Sequence, residues 1–536
     1  MSYVLSAVDT SAIQHYIFGS NRLREHIGAS ELVLQATSQW IWETLTQEGL
    51  RTNWNAETKK RDDSKQIEID DHNLDAEVIY ASGGNALILF KDADRAKSWA
   101  RRLSTKALTD APGLTLLIAH SAPFEWQTDS TDLADRVADL FSQRLDHLKR
   151  NRLVSTPLLG VGVTATCQST GLTAVATDTM DSTHPMRVSR EVVKKTNMVG
   201  KAQQRFKILL SDYDRLGIEL PTQLDHLNPH KGERSYIAVV HADGNGIGKR
   251  FQTIWQNKKN RDGITAVRFL SDTLSALAST ALSHALGSLI TPLSQLITPY
   301  KNFFPVRPLI YGGDDLTIVC DGRIGVGLAA RYLHEFEQRS RQYFPGEQLS
   351  AAAGIAIVKT HYPFARAYEL SEELCKKAKT LSRETSTLDW HVAMSGTLGD
   401  VKQIRQREFR VHSGKLEMRP VYLQEAPNIE ATKRWRTWAH IEEIINAFHK
   451  NEAWTGKRNK IKQLRDVLRN GDDAVTQFLA IYQMHALPGY YDATTLKTAG
   501  WRDRRCGYFD AIELLDLYIP PALSAIDMEA QWLPIS

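Results

Sequence analysis

Three aspartates, Asp243, Asp314 and Asp315, stand where their carboxylates could converge. Asp243 ends the apolar run 236–242, which predicts a strand, and the other two lie between two apolar runs, which predicts a hairpin. Three clustered carboxylates repel one another unless cations neutralise them, and hard oxygen ligands favour Mg²⁺ or Mn²⁺. Two such ions about 3.5–4 Å apart suit an in-line displacement at phosphorus, one activating a 3′-hydroxyl and one holding pyrophosphate. We therefore predict a two-metal site at Asp243, Asp314 and Asp315.

Glycine-rich segments flank these aspartates and could bind phosphate. The loop after Asp243 contains Gly244, Asn245, Gly246, Gly248 and Lys249. Its free backbone N–H groups are expected to cradle a triphosphate. A P-loop is excluded, because position 243 is not glycine and Arg250 replaces the required Ser or Thr. Gly312 and Gly313 allow a tight turn and let a ligand approach the backbone.

Two lysines are further candidates for phosphate contacts. Lys376 and Lys379 lie on the predicted helix 369–379, three residues apart and so on one face. The four cysteines are far apart and form no CxxC pair, so we expect neither zinc nor a disulfide framework.

The elements around the aspartates occur twice along the chain. The first copy has the strand 3–8 ending in Asp9, the hairpin 78–90, a helical stretch and the strand 114–119. The second has the strand 236–242 ending in Asp243, the hairpin 309–320, a helix and the strand 349–358. This order predicts an α+β chain with two ferredoxin-like palm domains of the adenylate or diguanylate cyclase type.

Four domains are predicted from these signals. They are a degenerate first palm at 1–125, a mainly helical or irregular region at 126–234, the GGDD palm at 235–395 and a C-terminal helical domain at 396–536. The last assignment follows from helical spacing of apolar residues after about residue 400.

The first palm keeps only one of the three carboxylates, Asp9. Its hairpin carries Ser82, Gly83, Gly84 and Asn85 in place of the second palm's GGDD turn. We expect no catalysis there, but nucleotide binding through these four residues could position an acceptor. A purely structural hairpin is an equally open interpretation.

These motifs resemble those of the CRISPR polymerase family, the large signature subunits of type III CRISPR effector complexes. The second palm is similar through HADGNGIG, YGGDD and EELCKKAK, and the first through DTSAIQHYIF, RLRE, GAS and YASGGN. The resemblance covers most of residues 1–390. It implies conversion of ATP into cyclic oligoadenylates or related messengers, with Asp243, Asp314 and Asp315 as metal ligands and Lys379 as the triphosphate-binding lysine.

The chain departs from the family in two respects. It has no His-Asp dipeptide, so the family's nuclease domain is expected to be absent, and Cys167 stands alone where relatives often have paired cysteines. A stand-alone relative is therefore the alternative to a guide-RNA complex. The resemblance implies nucleoside triphosphates, RNA or CRISPR-type subunits, and a downstream effector protein as partners.

Two other functions remain open. The chain could be a non-catalytic scaffold that binds RNA and proteins, for which the basic segments 433–438, 457–462 and 502–505 are candidates. Buried tryptophans beneath solvated charges are the favoured interpretation of these segments. A diguanylate cyclase-like enzyme ranks lower, because its GGDEF motif needs Glu at Asp315 and Phe at Leu316.

The composition is that of an ordinary globular protein. Of 536 residues, 42% are hydrophobic and 24% charged, and the net charge is +4. These values exclude a largely disordered chain and a DNA-coating protein. No apolar run reaches the roughly 18 residues of a membrane span, and Asp9 interrupts the apolar start, so we expect no signal peptide, no membrane partner and a cytoplasmic location.

Overall fold

The structure is a computed structural model. It describes residues 2–127, 129–151, 160–179, 185–210, 219–228, 235–289, 303–393, 400–490 and 494–519.

The first palm is built on four antiparallel strands. They are β1 (Ser2–Ser11), β2 (Ala76–Ser82), β3 (Asn85–Phe90) and β4 (Thr115–His120). Their order across the sheet is β2-β3-β1-β4, which is the ferredoxin-like arrangement. Gly83 and Gly84 form the two-residue turn between β2 and β3, and both have positive φ (63° and 85°), as a type I′ hairpin turn requires.

Helices cover the first sheet. They are α1 (Leu23–Thr37), α2 (Ala93–Asp110) and a helical segment over 133–151, which consists of Leu133–Asp139, the π-helical turn Leu140–Leu145 and Asp146–Asn151. The helix α2 begins where Asp92 accepts a hydrogen bond from the backbone N–H of Arg95. The segment 133–151, which we call the 133–151 helix, packs against β1 and β4.

The second palm repeats this plan. Its strands are β5 (Tyr236–Gly244), β6 (Val306–Ile310), β7 (Leu316–Asp321), β8 (Ala351–Lys359), β9 (Thr387–Val392) and β10 (Val421–Tyr422). Their order is β6-β7-β5-β8-β9-β10, so the first four again have the ferredoxin-like arrangement. Its long helices are α3 (Asn260–Gly287), α4 (Gly325–Tyr343) and α5 (Phe364–Lys379).

The strand β9 extends the second sheet and was not predicted. It runs parallel to β8, with Ala352 opposite Thr387, and every residue of β9 is buried. Its sequence includes Asp389, whose carboxylate is bound by Arg405 (2.6 and 2.9 Å). A buried strand is recognised in a sequence by a continuous run of apolar residues. The charged Asp389 interrupts that run, so the sequence did not indicate this strand.

The described part of the chain after residue 400 contains helices and a small sheet, and its assignment as one helical domain stays a prediction. Its helices are Val401–Glu408, Trp438–Lys450, Arg458–Arg469, Asp472–Ile481, Thr494–Ala499 and Phe509–Leu514. The sheet has four two-residue strands, Arg410–Val411, Gly414–Lys415, Trp501–Arg502 and Arg505–Cys506. Strands of two residues have no periodicity that a sequence could show.

Shorter elements complete the described chain. The helices are Ile13–Phe18, Gln39–Gln47, Arg190–Asn197, Val199–Leu209 and Ile247–Thr253, with 3₁₀ turns at Asp70–His72, Leu224–His226 and Ala431–Lys433. The strands are Trp54–Asn55, Lys60–Arg61, Phe124–Glu125, Ala174–Asp178 and Met186–Ser189.

The chain divides into two compact units. The first comprises Met1–Asp214, Gly246–Ser279 and Leu309–Asp315, and the second Arg215–Asn245, Thr280–Pro308 and Leu316–Ser536. Within the first unit, an apolar core joins the first-palm sheet to Trp255, Ile264 and Val267. Among the described residues, no helix has the length and apolar character needed to cross a membrane.

Candidate active site

The three aspartates predicted as a cluster lie together. Asp243 stands near the end of β5, one residue beyond the pair Ala242–Leu316, and Asp314 and Asp315 directly precede β7. Each offers a carboxylate oxygen, and these oxygens lie within 4.8 Å of one another. Asp243 and Asp314 are half-buried and Asp315 is exposed. All donors are carboxylate oxygens, so the group suits Mg²⁺ or Mn²⁺. Their role as metal ligands stays a prediction.

Of the two predicted lysines, only Lys379 reaches this cluster. Its ammonium forms an ion pair with Asp243 and donates a hydrogen bond to the carbonyl oxygen of Gly244 (3.3 Å). Lys376 instead pairs with Glu372 (3.0 Å), and its side chain is 70% exposed. Lys379 is the last residue of α5, where the helix ends beside the Asp243 loop, whereas Lys376 lies a turn earlier.

The glycine-rich loop after Asp243 is anchored on one side and open on the other. Asn245 is buried, and both its backbone N–H and its side-chain amide donate to Ser350 (2.9 Å each). Gly246 has φ 73° and directly precedes the helix Ile247–Thr253. A Cβ placed on Gly246 or Gly248 would meet no atom within 4 Å. The loop therefore has the room that phosphate binding needs, and the roles of its residues, Lys249 included, stay predictions.

His241, two residues before Asp243, is a packed strand residue. It is buried, its ring lies edge-on to Tyr368 (5.6 Å), and its Nδ1 lies 3.4 Å from the Thr317 hydroxyl. Burial lowers the pKa of His241, against the opposing effect of the Asp243 carboxylate. His241 is therefore neutral at pH 7 and acts as part of the core.

The helix α3 bonds to both hairpins through two serines one turn apart. The Ser271 hydroxyl hydrogen-bonds to the Ser82 hydroxyl (3.0 Å), and the Ser275 hydroxyl donates to the carbonyl oxygen of Gly312 (3.0 Å). A Cβ on Gly313 would lie 3.7 Å from the Cα of Gly83. The turns Gly83–Gly84 and Gly312–Gly313 therefore lie next to each other within the first unit. The sequence could not indicate the two serines, since serine is common in helices and neither forms part of a motif.

A cavity of about 710 Å³ lies at these hairpin tips. Aromatic side chains of Tyr80, Phe141, Phe251 and Trp255 line it. Its polar lining includes Ser82, Asn85, Gln252, Gln256, Ser271 and Asp314. The size and the mixture of aromatic walls with a few polar groups are typical of small-molecule sites.

Lys377, between the two predicted lysines, is half-buried, and its charge affects stability. Burial and the nearby Arg405 guanidinium lower the pKa of Lys377 to about 8. In the unfolded chain Lys377 keeps its proton up to about pH 10.4. Below pH 8 the folded protein must also hold Lys377 charged, which lowers the free energy of unfolding. Between about pH 8 and 10.4 the folded protein loses this proton first, so stability rises with pH.

We therefore expect Lys377→Met to raise the melting temperature at pH 7 by about 2 °C. Partial exposure and solvent screening keep the gain well below the full pKa shift. The gain should shrink as the pH rises from 8 to 10, which calorimetry at a series of pH values would measure. Lys376→Met is the control and should change little. A lower melting temperature for Lys377→Met at pH 7 would contradict this account.

The basic segment 433–438 has its tryptophans in the core. Trp435 and Trp438 are buried, and Arg436 is buried with its guanidinium donating to the carbonyl oxygens of Met418 (3.0 Å) and Pro420 (2.8 Å). These rings are not available to stack on RNA bases, so the favoured interpretation of buried tryptophans is confirmed for this segment.

The fold and the aspartate cluster define a palm-domain protein. Residues 236–387 match the family model of the Cas10/Cmr2 second palm domain. The resemblance to the CRISPR polymerase family is thereby confirmed, and the chain carries a Cas10-type palm.

Solved structures share the fold over nearly the whole chain. Csm1 from T. onnurineus has a TM-score of 0.52 at 13% identity, covering 97% of this chain and 70% of that chain. A Csm1–Csm4 cassette with pppApApA has a TM-score of 0.51 at 12% identity (96% and 69% covered). The cassette with cA3 has a TM-score of 0.50 at 13% identity (96% and 70% covered). No curated protein sequence matches the chain.

Proposed function

We propose that this protein is a nucleotidyltransferase that makes a cyclic or oligomeric nucleotide messenger, most readily from ATP. The observation that carries the proposal is the carboxylate cluster of Asp243, Asp314 and Asp315 within a Cas10-type palm. Csm1 structures of this fold contain cA3 or pppApApA, which is the chemistry proposed here.

The reaction joins nucleotides by substitution at phosphorus. The 3′-hydroxyl oxygen of one nucleotide forms a bond to the α-phosphorus of the next, while the bond from that phosphorus to the bridging oxygen breaks. Pyrophosphate leaves with the electron pair, and the hydroxyl proton passes to solvent. Attack by a terminal 3′-hydroxyl on the 5′ end of its own chain closes a ring.

The residues of the second palm supply the charge that this reaction needs. Bound at the three aspartates, Mg²⁺ or Mn²⁺ would neutralise their repulsion and stabilise negative charge on the phosphoryl oxygens and pyrophosphate. Lys379 has three N–H donors, of which Asp243 and Gly244 use two, so one remains for a phosphate oxygen. The open side of the loop 244–249 offers backbone N–H groups to the rest of the triphosphate.

The first palm would hold the second nucleotide. The cavity at the hairpin tips places Ser82 and Asn85 in the same lining as Asp314, and its aromatic walls suit a nucleobase. A nucleotide seated there would lie beside the second-palm turn, and holding two reactants in this way removes much of the entropic barrier.

The wider role follows from the family of the palm. We propose that the protein acts in CRISPR-type antiviral defence in the cytoplasm, with RNA or type III complex subunits as partners and with an effector protein that its product activates. Csm1 of this fold is found with Csm4. Whether the chain works within such a complex would be tested by co-purification with the neighbouring subunits of its own locus.

Synthesis is expected to require a divalent cation. Without one, the carboxylates repel one another and the incoming triphosphate, so product should fall below detection after dialysis against EDTA. Adding back Mg²⁺ or Mn²⁺ should restore it, whereas Zn²⁺ should not, because the donor set has no soft ligand. Chromatography of labelled product measures this. Turnover that survives chelation would contradict a metal-dependent site.

The same assay separates the alternatives. Product from labelled ATP supports the proposal, and product from GTP alone would indicate the diguanylate cyclase-like alternative. Absence of product from either nucleotide, with and without target RNA, would favour the non-catalytic scaffold.

A further inference from the structure

The first palm contains an ion pair at the position that corresponds to the catalytic cluster of the second. Asp9, the counterpart of Asp243, bonds to the ammonium of Lys149 (2.5 Å), whose side chain is 42% exposed. The Asp9 carboxylate also accepts a hydrogen bond from the backbone N–H of Thr10 (2.9 Å). No sequence motif indicates Lys149.

Lys149 and Lys379 occupy equivalent places in the two palms. Lys379 ends α5, the helix that follows the fourth strand of its palm and packs on the first and fourth strands. Lys149 lies near the end of the 133–151 helix, which follows β4 and packs on β1 and β4. Each lysine pairs with the aspartate near the end of its palm's first strand. The repeat therefore preserves an Asp–Lys pair as well as a fold.

The charge around each pair differs. In the second palm, three carboxylates and one ammonium leave two negative charges, which a divalent cation would neutralise. In the first palm, Asn85 lies opposite Asp9 in the strand pairing, at the turn where the second palm has its two aspartates. Lys149 therefore balances a single carboxylate. Among the residues that the structure describes, no group of three metal-ligating side chains includes Asp9, so this site lacks the carboxylate cluster that would retain a hard cation.

The pair lies next to the cavity at the hairpin tips, because Asp9 is the strand partner of Asn85. Asn85 lines that cavity, and the Thr10 hydroxyl ties the end of β1 to the same turn through the carbonyl oxygen of Gly84 (3.0 Å). The 133–151 helix that carries Lys149 also lines the cavity with Ala138, Phe141 and Ser142. Lys149 follows Ser142 by about two helical turns in the same segment. A nucleotide with its base against this helix would extend its phosphates along the helix to reach Lys149.

We propose that the first palm binds the polyphosphate of a second nucleoside triphosphate directly through Lys149, without a metal ion at this site. The inference rests on the proposed function for the identity of the ligand. An ammonium has three donors, so Lys149 can keep Asp9 and still donate to phosphate oxygens. Asp9 opposes the phosphates by its charge and orients the lysine.

The test measures ATP binding to the full chain in EDTA by equilibrium dialysis. We expect the wild type to bind ATP under these conditions. Without a metal ion the three carboxylates of the second palm repel the triphosphate, whereas Lys149 balances the charge of Asp9 in the first palm, so the binding that remains reports on the first palm. Lys149→Met should raise the dissociation constant for ATP about tenfold, because one charge-assisted hydrogen bond to the phosphates is lost. Lys149→Arg should restore most of the affinity, and adenosine should bind equally to all variants.

Asp9→Asn should change the affinity for ATP in the direction opposite to Lys149→Met. An ion pair that only stabilised the fold would not produce these opposite changes. Asparagine keeps an oxygen to accept from the Thr10 N–H but removes the charge, so metal-free ATP binding should tighten about threefold or more. Arg150→Met is the matched control, since Arg150 is the next residue, is 78% exposed and pairs with Asp146 (2.7 Å). It should leave binding unchanged.

Three results would overturn the inference: no ATP binding by the wild type in EDTA, unchanged binding by Lys149→Met, or weaker binding by Asp9→Asn. Each is interpretable only for variants whose thermal unfolding matches the wild type, and Lys149→Arg supplies a folded comparison. Metal-dependent synthesis without metal-free ATP binding would refute this site alone. Metal-free binding with the expected variant pattern but no synthesis would refute the proposed function and leave the site standing.

Discussion

Replacing Asp314 and Asp315 by alanine is expected to abolish synthesis while leaving the fold intact. The two side chains stand on a turn at the start of β7, one half-buried and one exposed, so no core packing is lost. Metal-ion catalysis contributes several kcal/mol, so the rate should fall by about three orders of magnitude or more. The melting temperature should stay the same or rise, because the change relieves repulsion with Asp243. Labelled-product assays and calorimetry on the same preparation measure both effects.

The chain offers a matched control for this variant. Asp472 and Asp473 form another exposed Asp-Asp pair, at the first turn of the helix Asp472–Ile481. Replacing both by alanine should leave synthesis unchanged. It should lower stability by about 1 kcal/mol, because acidic residues in the first turn interact favourably with the helix dipole. If the Asp314 and Asp315 variant retained wild-type product formation, the proposed active site would be wrong.

Ser82→Trp is expected to reduce synthesis about 100-fold while changing ATP binding at the second palm less than threefold. Ser82 lines the cavity at the hairpin tips and hydrogen-bonds to Ser271. An indole there would fill the space in which we place the second nucleotide, and displacement of a reactant by about 1 Å already costs about 100-fold. The decisive readout is the rate at saturating ATP, compared with metal-dependent ATP affinity.

Two controls isolate the effect of volume. Ser82→Ala removes the hydroxyl without adding bulk and should cost far less than the indole. Thr105→Trp adds the same indole to an exposed position of α2 and should leave synthesis unchanged. Full activity in a folded Ser82→Trp protein would show that the first palm does not hold a reactant at this cavity.

The palms could be predicted because their signals are local. Each has an apolar strand ending in aspartate, a glycine turn between apolar runs, a helix and a further strand, and ferredoxin-like connectivity follows from that order. The convergence of Asp243 with Asp314 and Asp315 follows in turn, since β5 and β7 are neighbours in this topology. The strand β9 was missed because its buried Asp389 is satisfied by Arg405, a partner that no local pattern indicates.

The sequence by itself determined the two palms, the three aspartates and the loss of two carboxylates from the first palm. Spacing and residue type express these features within single strands and turns. Only the tertiary structure decided which lysine reaches each aspartate, since Lys376 and Lys379 are indistinguishable by spacing and Lys149 lies far from Asp9 along the chain. Only it showed that Ser271 and Ser275 hold the two hairpins and that a cavity opens at their tips. Such contacts join residues distant in sequence, so their geometry exists only once the chain has packed.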